Sequence, residues 1–233
     1  PVWTEAPDGT RLRLFRTGSL RLGAPRRQPG RRRNEVERDV ELTRAFYLGA
    51  REVTNAQFGE FRPEHRSGRF QNRELDGDEL PVVNVSWTQA ALYCNWLSRR
   101  EGLEPVYRVD GASVTGFDAG ALGYRLPTEA EWAWAARRDA EGELLVFPWG
   151  TEAQPPRRAG NFADRSAAYM LPDTLRDYGD GYVATAPVGS FPADPRGLHD
   201  LAGNVAEWIN DFYGEEPEQL GGTDPLGPPG GDY

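Results

Sequence analysis

The sequence predicts an α+β fold, with short helices around small antiparallel sheets in a loop-rich chain. Three helix starts can be placed from capping and breaker residues. The apolar segments between and after them are short and bounded by turns, with no βαβ alternation and no internal repeat. A content of 27 Gly and 19 Pro in 233 residues favours loops over a helix bundle.

Thr54 opens the first helix, ahead of Asn55-Ala56-Gln57-Phe58. Val53, Phe58 and Phe61 supply one apolar side. Pro63 sets the end, because the residue before a proline is pushed out of the helical region. Ser86 with Gln89 forms a capping box, in which each side chain satisfies a backbone N–H of the first turn. Trp87, Ala91, Cys94 and Leu97 then recur at helical spacing, and Gly102 is the stop. Thr128 with Glu131 is a second capping box, entered through Pro127, with Trp132, Ala135 and Ala136 as its buried stripe. Residues 40–48, 82–85 and 186–191 read as short extended segments between turns. Trp87, Trp96, Trp132, Trp134, Trp149 and Trp208 are expected in the core, since a loop-rich domain needs wide side chains to bury area. Arg125 beside Glu129 and Glu131 suggests a buried ion pair at a helix start, where the dipole also favours acids.

Composition excludes several chemistries. All 27 basic side chains are Arg, against 36 acids, for a formal charge of −9. Without Lys there is no Schiff-base chemistry. Cys94 stands alone, so no intrachain disulfide forms, and with only His65 and His199 beside it no four-ligand zinc site or iron–sulfur cluster can be built. No apolar run reaches the ~20 residues of a membrane-spanning helix. Residues 1–73 hold 16 Arg and 9 acids, and residues 74–233 hold 11 Arg and 27 acids. The densest basic cluster is Arg26, Arg27, Arg31, Arg32 and Arg33. It reads as a solvated loop or one paired with the acidic part of the protein; contact with an acidic partner or nucleic acid is the alternative. Residues 214–233, rich in Gly, Pro and acids, read as a loop. The opening at Pro1 suggests a piece of a longer chain, and cytoplasmic and periplasmic placements both stay open.

Five segments together resemble the formylglycine-generating enzyme family, also called the sulfatase-modifying-factor family. They are Arg51-Glu52-Val53-Thr54-Asn55-Ala56-Gln57-Phe58, Pro81 to Trp87 with Tyr93-Cys94-Asn95-Trp96-Leu97, Tyr124-Arg125-Leu126-Pro127-Thr128-Glu129-Ala130-Glu131-Trp132, Phe147-Pro148-Trp149-Gly150, and Gly197-Leu198 through Gly203-Asn204-Val205-Ala206-Glu207-Trp208. The resemblance covers roughly residues 12–213 and implies a C-type lectin-like fold. Residues 1–213 would then be the family domain, and 214–233 a loop leading to final strands beyond Tyr233. Those strands are expected as a separate segment or second chain.

The resemblance also implies two calcium ions. One would be held by Asn161, the Phe162 carbonyl, Asp180 and the Tyr182 carbonyl; the other by Asp200, the Gly203 and Val205 carbonyls and Glu207. Calcium takes six to eight such oxygens, and Gly179, Gly181 and Gly203 would let carbonyls turn inward. Ordinary Asp and Asn turns are the bland alternative. The family's activity oxidises a sulfatase cysteine to formylglycine with oxygen and copper held by two thiolates. Copper is not expected here, since one cysteine on a buried helix stripe cannot replace two soft thiolates. An iron branch of the family needs three His, and two distant His do not offer that. The expectation is therefore a non-catalytic, calcium-stabilised scaffold for protein binding, bacterial by its Arg bias, with no catalytic residues. The alternative is the major part of a copper-dependent oxidase completed by a further segment.

Overall fold

Each helix begins where a side chain takes over the first free N–H groups. In the computed structural model, which describes residues 1–138, 144–213 and 221–228, α1 spans Asn55–Phe61, α2 Trp87–Glu101 and α3 Glu129–Ala136. All three start in a capping box. Thr54 pairs reciprocally with Gln57, Ser86 with Gln89 and Thr128 with Glu131, at 2.8–3.2 Å. Gly102 ends α2 in the left-handed region at φ 75°, where a side chain would be strained.

The strands are short. β1 (Trp3–Glu5), β2 (Arg11–Phe15) and β5 (Phe46–Gly49) form one sheet, in the order β1-β2-β5 and antiparallel throughout. β3 (Gly18–Leu22) and β4 (Arg38–Leu42) pair antiparallel in a second sheet. β6 (Arg69–Phe70) with β7 (Arg73–Glu74), and β8 (Tyr107–Asp110) with β9 (Ser113–Phe117), are separate hairpins. β10 (Gly222–Thr223) adds to the second sheet, parallel to β4, with Gly222 opposite Val40. The segment expected as a plain loop thus contributes a strand. Asp224 fastens it by accepting the Thr43 N–H at 2.8 Å. The rest of that segment, 214–220 and 229–233, lies outside the described residues.

Three expectations need correction. Residues 40–48 are not one extended segment: the chain leaves β4 at Leu42 and enters the other sheet at Phe46. Residues 82–85 and 186–191 form no strand. They are held by scattered hydrogen bonds, such as Val82 N–H to Val53 O, Val188 N–H to Glu79 O and Val83 N–H to the Ser67 hydroxyl, and not by a ladder. Of the six Trp expected in the core only Trp87 is fully buried, and Trp208 is exposed.

Four apolar clusters hold these pieces together. α3 lays Ala130 and Ala133 on Leu20, Leu22, Val40 and Leu42 of the second sheet. Ala135, on another face of α3, meets Phe15, Ala50 and Leu198. α2 sets Trp87, Ala91 and Cys94 against Val106 and Tyr107. Its other face packs Tyr93 and Leu97 on Phe58 of α1. The expected ion pair joins Arg125 to Glu131, two bonds of 2.6 Å. Glu129 instead meets Arg38 at 3.0 Å.

Candidate functional site

The second predicted calcium cluster lies in strained backbone. Asp200 and Asn204 have positive φ of 54° and 56°, which non-glycine residues adopt only when their surroundings enforce it. Gly203, at φ 86°, passes so close to Asn161 that a Cβ would stand 2.1 Å from the Asn161 carbonyl oxygen. The crossing is tied by the Asn204 N–H, which donates to that same oxygen at 2.8 Å.

Asp200 is buried. Its Oδ2 accepts the Gly189 N–H at 2.7 Å, and no amide or hydroxyl donor meets its Oδ1; the neighbouring Glu52 carboxyl, in its protonated form, hydrogen-bonds to this side chain. A buried carboxylate oxygen without a donor is costly, and a proton shared with a second carboxyl, a water or a bound cation can satisfy it. Burial raises the Asp200 carboxyl above its ordinary range, although the Gly189 N–H pulls the other way. Glu52, from the segment ahead of α1, joins the cluster. Burial first, then the charges of Asp200 and Glu207, push its carboxyl up to about 8.

Asn204 is the hub of this region. Its Oδ1 accepts from the Asn161 side chain at 3.0 Å and from the Ala186 N–H at 2.8 Å. Its Nδ2 donates to Glu52 at 3.1 Å and to the Ala186 carbonyl at 3.2 Å. In the sequence Glu52 and Asn204 stand inside motifs with no role marked for either. The only signal was their position in those motifs.

At the first predicted cluster the structure uses the acids differently. Both Asp180 oxygens accept backbone N–H groups, from Phe162 at 2.9 Å and Tyr182 at 2.8 Å. The Tyr182 carbonyl accepts the Ser166 hydroxyl at 3.1 Å. Asp164, fully buried and not foreseen, holds Ser166 and the Asp180 N–H. Asn161 sends its Nδ2 to the Ala184 carbonyl and to Asn204, so it bridges the two clusters. Among the described residues no three His, Cys, Asp or Glu side chains come together closely enough to hold a metal by themselves. Calcium at either cluster would need carbonyl and water oxygens as well.

Beside Asp200 and Gly203 opens a cleft. Its deeper part, about 710 Å³, is walled by Trp132, Phe147, Trp208, Phe212 and Tyr213. An adjoining part, about 520 Å³, reaches Asp200 and Gly203 and shares Trp132 and Glu207. Trp132 therefore faces this cleft and is only half-buried, against the expectation that it belongs to the core stripe of α3. Its Nε1 donates to Glu207 at 2.6 Å. Cys94, by contrast, lies in the core, and burial pushes its thiol up to about 12.

The family model of the sulfatase-modifying factor enzyme 1-like domain matches residues 6–230. The chain belongs to this family. It is 30% identical over 190 residues to the chaperone protein LppX of Paenibacillus barcinonensis, covering 74% of this chain and 65% of the relative. It is 32% identical over 158 residues to the formylglycine-generating enzyme of Bos taurus, covering 67% of this chain and 34% of the enzyme. To the inactive C-alpha-formylglycine-generating enzyme 2 of Mus musculus it is 36% identical over 139 residues, covering 58% of this chain and 33% of that protein. The chain thus spans 65% of the first relative and about a third of the other two. Among solved structures, Treponema denticola variable protein 1 superposes with a TM-score of 0.69 at 23% identity, covering 99% of this chain and 84% of the other. That likeness shows the fold, α+β with small sheets.

Proposed function

We propose that this domain is a non-catalytic, calcium-stabilised scaffold for protein binding. The observation behind the non-catalytic reading is the place of Cys94. Copper(I) chemistry of the family's kind needs two accessible thiolates. This chain supplies one thiol, packed among Trp87, Ala91, Val106 and Tyr107 and pushed up to about 12, so it stays protonated at neutral pH. Relatives named as a chaperone and as an inactive enzyme agree with this reading. The alternative, the major part of a copper-dependent oxidase completed by a further segment, predicts turnover only when that segment supplies thiolates. Incubating the purified chain with copper(I), oxygen and a cysteine peptide taken from a sulfatase tests the reading by mass spectrometry. No formylglycine is expected, and its appearance would overturn the non-catalytic assignment.

The calcium part rests on the buried Asp200 Oδ1, which no amide or hydroxyl donor meets, beside the carboxyls of Glu52 and Glu207. Asp200, the Gly203 and Val205 carbonyls and Glu207 would hold the ion, with water completing the shell. A divalent cation there would offset the mutual repulsion of Glu52, Asp200 and Glu207. The ion proposed is the one at Asp200; around Asn161, Phe162, Asp180 and Tyr182 each Asp180 oxygen accepts an N–H and keeps its second lone pair for calcium. Calorimetric titration is expected to show one ion per chain. Two ions would add the first cluster, and none would remove calcium from the reading.

A further inference from the structure

Residues 23–36 form an ordered loop that the scaffold reading leaves unused. Its neck is closed by the Ala24 N–H on the Glu35 carbonyl at 3.1 Å and by Arg31 Nε on the Ala24 carbonyl at 2.9 Å. Inside it, the Gln28 N–H reaches the Pro25 carbonyl at 2.9 Å, and Glu35 accepts the Arg32 N–H at 2.7 Å. Asn34 donates to the Tyr213 hydroxyl at 3.2 Å, which pins the loop to another residue of the cleft lining. The loop therefore holds its shape without the heads of Arg26, Arg27, Arg32 and Arg33, Arg31 being the one arginine used to close it. Arg26, Arg27, Arg32 and Arg33 are exposed, and none of them forms an ion pair among the described residues.

The same loop is one wall of the 710 Å³ cleft, through Gln28, Pro29 and Gly30. Trp208, 38% exposed, and Tyr213, 60% exposed, line the same cleft. Arg26, Arg27, Arg32 and Arg33 flank in sequence the Gln28-Pro29-Gly30 stretch that lines this aromatic-walled hollow, whose own charged lining is Arg38 and Arg137 with Glu35, Glu129, Glu207 and Asp211. Guanidinium pairs with carboxylate in a two-bond fork, and half-open aromatic pockets are where partner side chains anchor.

We infer that this loop and the cleft it walls form one docking surface for an acidic segment of a partner protein, whose carboxylates meet the arginines while an aromatic or aliphatic side chain enters the cleft. The inference rests on the protein-binding reading and names the chemistry of the partner. Charge selects a protein segment over nucleic acid. Residues 74–233 carry 27 acids against 11 Arg, so an extended polyanion leaving the loop meets repulsion from the body. A short segment can keep its carboxylates on the loop and send only an uncharged side chain past Glu129, Glu207 and Asp211 into the cleft.

The test is fluorescence anisotropy on the full chain with a short labelled peptide of Glu residues around a central Trp. Matched peptides with Gln or Lys in place of Glu, heparin and single-stranded DNA serve as comparators. The Glu peptide is expected to bind and to weaken as salt rises from about 0.05 to about 0.3 M. The combined variant R26S/R27S/R32S/R33S is expected to lose roughly tenfold or more in affinity. Tyr213→Ala is expected to weaken binding while leaving the salt dependence in place. The salt series on the unaltered protein keeps the test informative should the fourfold variant fold poorly. Equal binding of the Gln or Lys peptide would overturn the inference and leave the scaffold reading standing. Tighter binding of DNA or heparin, displacing the Glu peptide, would overturn it in favour of a polyanion. Binding of no peptide at all would remove both.

Discussion

One amide, Asn204, decides whether the two acidic clusters are separate turns or one unit. It meets Asn161, Glu52 and Ala186 at once, from a backbone conformation that costs free energy to hold. Asn204→Ala would leave the Glu52 and Asn161 polar groups short of a partner in a half-buried site. The expected loss is about 2–4 kcal/mol, read by urea unfolding at constant slope. A second side chain gives a pH signature. Asp211 is buried and its Oδ2 accepts the Glu129 N–H at 3.0 Å. Burial, then the charges of Glu129 and Glu131, push its carboxyl up to about 6 from 3.8, outweighing that hydrogen bond. A carboxyl raised on folding favours its neutral form. Its stabilising contribution is complete below pH 4 or so and is lost as pH rises through about 6. At ~1.4 kcal/mol per unit the loss is at most about 3 kcal/mol. Asp211→Asn keeps an acceptor for Glu129 and never ionises. Melting curves are expected to show the variant ahead of the parent near pH 7.5 and level with it near pH 4. A constant gap at both would place the effect in packing.

The elements were legible wherever the signal was local. Thr128 and Glu131 lie three residues apart, and their reciprocal bonds start α3 as that spacing requires. The same Glu131 also closes on Arg125, 9% against 28% side-chain exposure, which makes this helix entry the most strongly held of the three. Removing one member strands the other. Glu131→Ala is expected to cost about 3–5 kcal/mol. A double-mutant cycle with Arg125→Ala is expected to fall short of additivity by more than about 1 kcal/mol, and additivity within error would show the pair to be idle. The strands were less legible, because their partners are remote. Residues 82–85 and 186–191 have apolar side chains to bury, as strands do, yet each finds scattered partners and no ladder. Nothing local marks the break at Thr43, where the chain passes from one sheet to the other. The Trp residues misled for a related reason. Trp132 and Trp208 have the size of core residues, but only tertiary structure tells that they border a cleft. Motif order disclosed the family; the roles of Glu52 and Asn204 needed the chain crossing at Gly203.

At the scale of the whole molecule, charge and metal make separable contributions. Residues 74–233 carry 27 acids against 11 Arg, an excess only partly offset by the 16 Arg against 9 acids of residues 1–73, so self-repulsion in the later part weakens the fold at low ionic strength, and salt relieves it by screening. Calcium at Asp200 would act differently, by binding only the folded state. At a hundredfold excess over its dissociation constant such a ligand adds about 2.7 kcal/mol, whatever the ionic strength. The two effects separate in one set of melts. Raising sodium chloride is expected to raise Tm gradually, in the parent and in Asp200→Ala alike. Millimolar calcium, which hardly changes ionic strength, is expected to raise Tm by several degrees in the parent, to leave Asp200→Ala unmoved, and to exceed an equal concentration of magnesium. Magnesium demands a tighter octahedral shell than a cluster of carbonyls and carboxylates on strained backbone provides. Equal effects of calcium and magnesium in both proteins would reduce the metal to a screening ion and return Asp200 to an ordinary turn. A calcium-specific rise lost only in Asp200→Ala would tie the Asp200 carboxylate, the left-handed backbone around it and the stability of the domain to one bound ion.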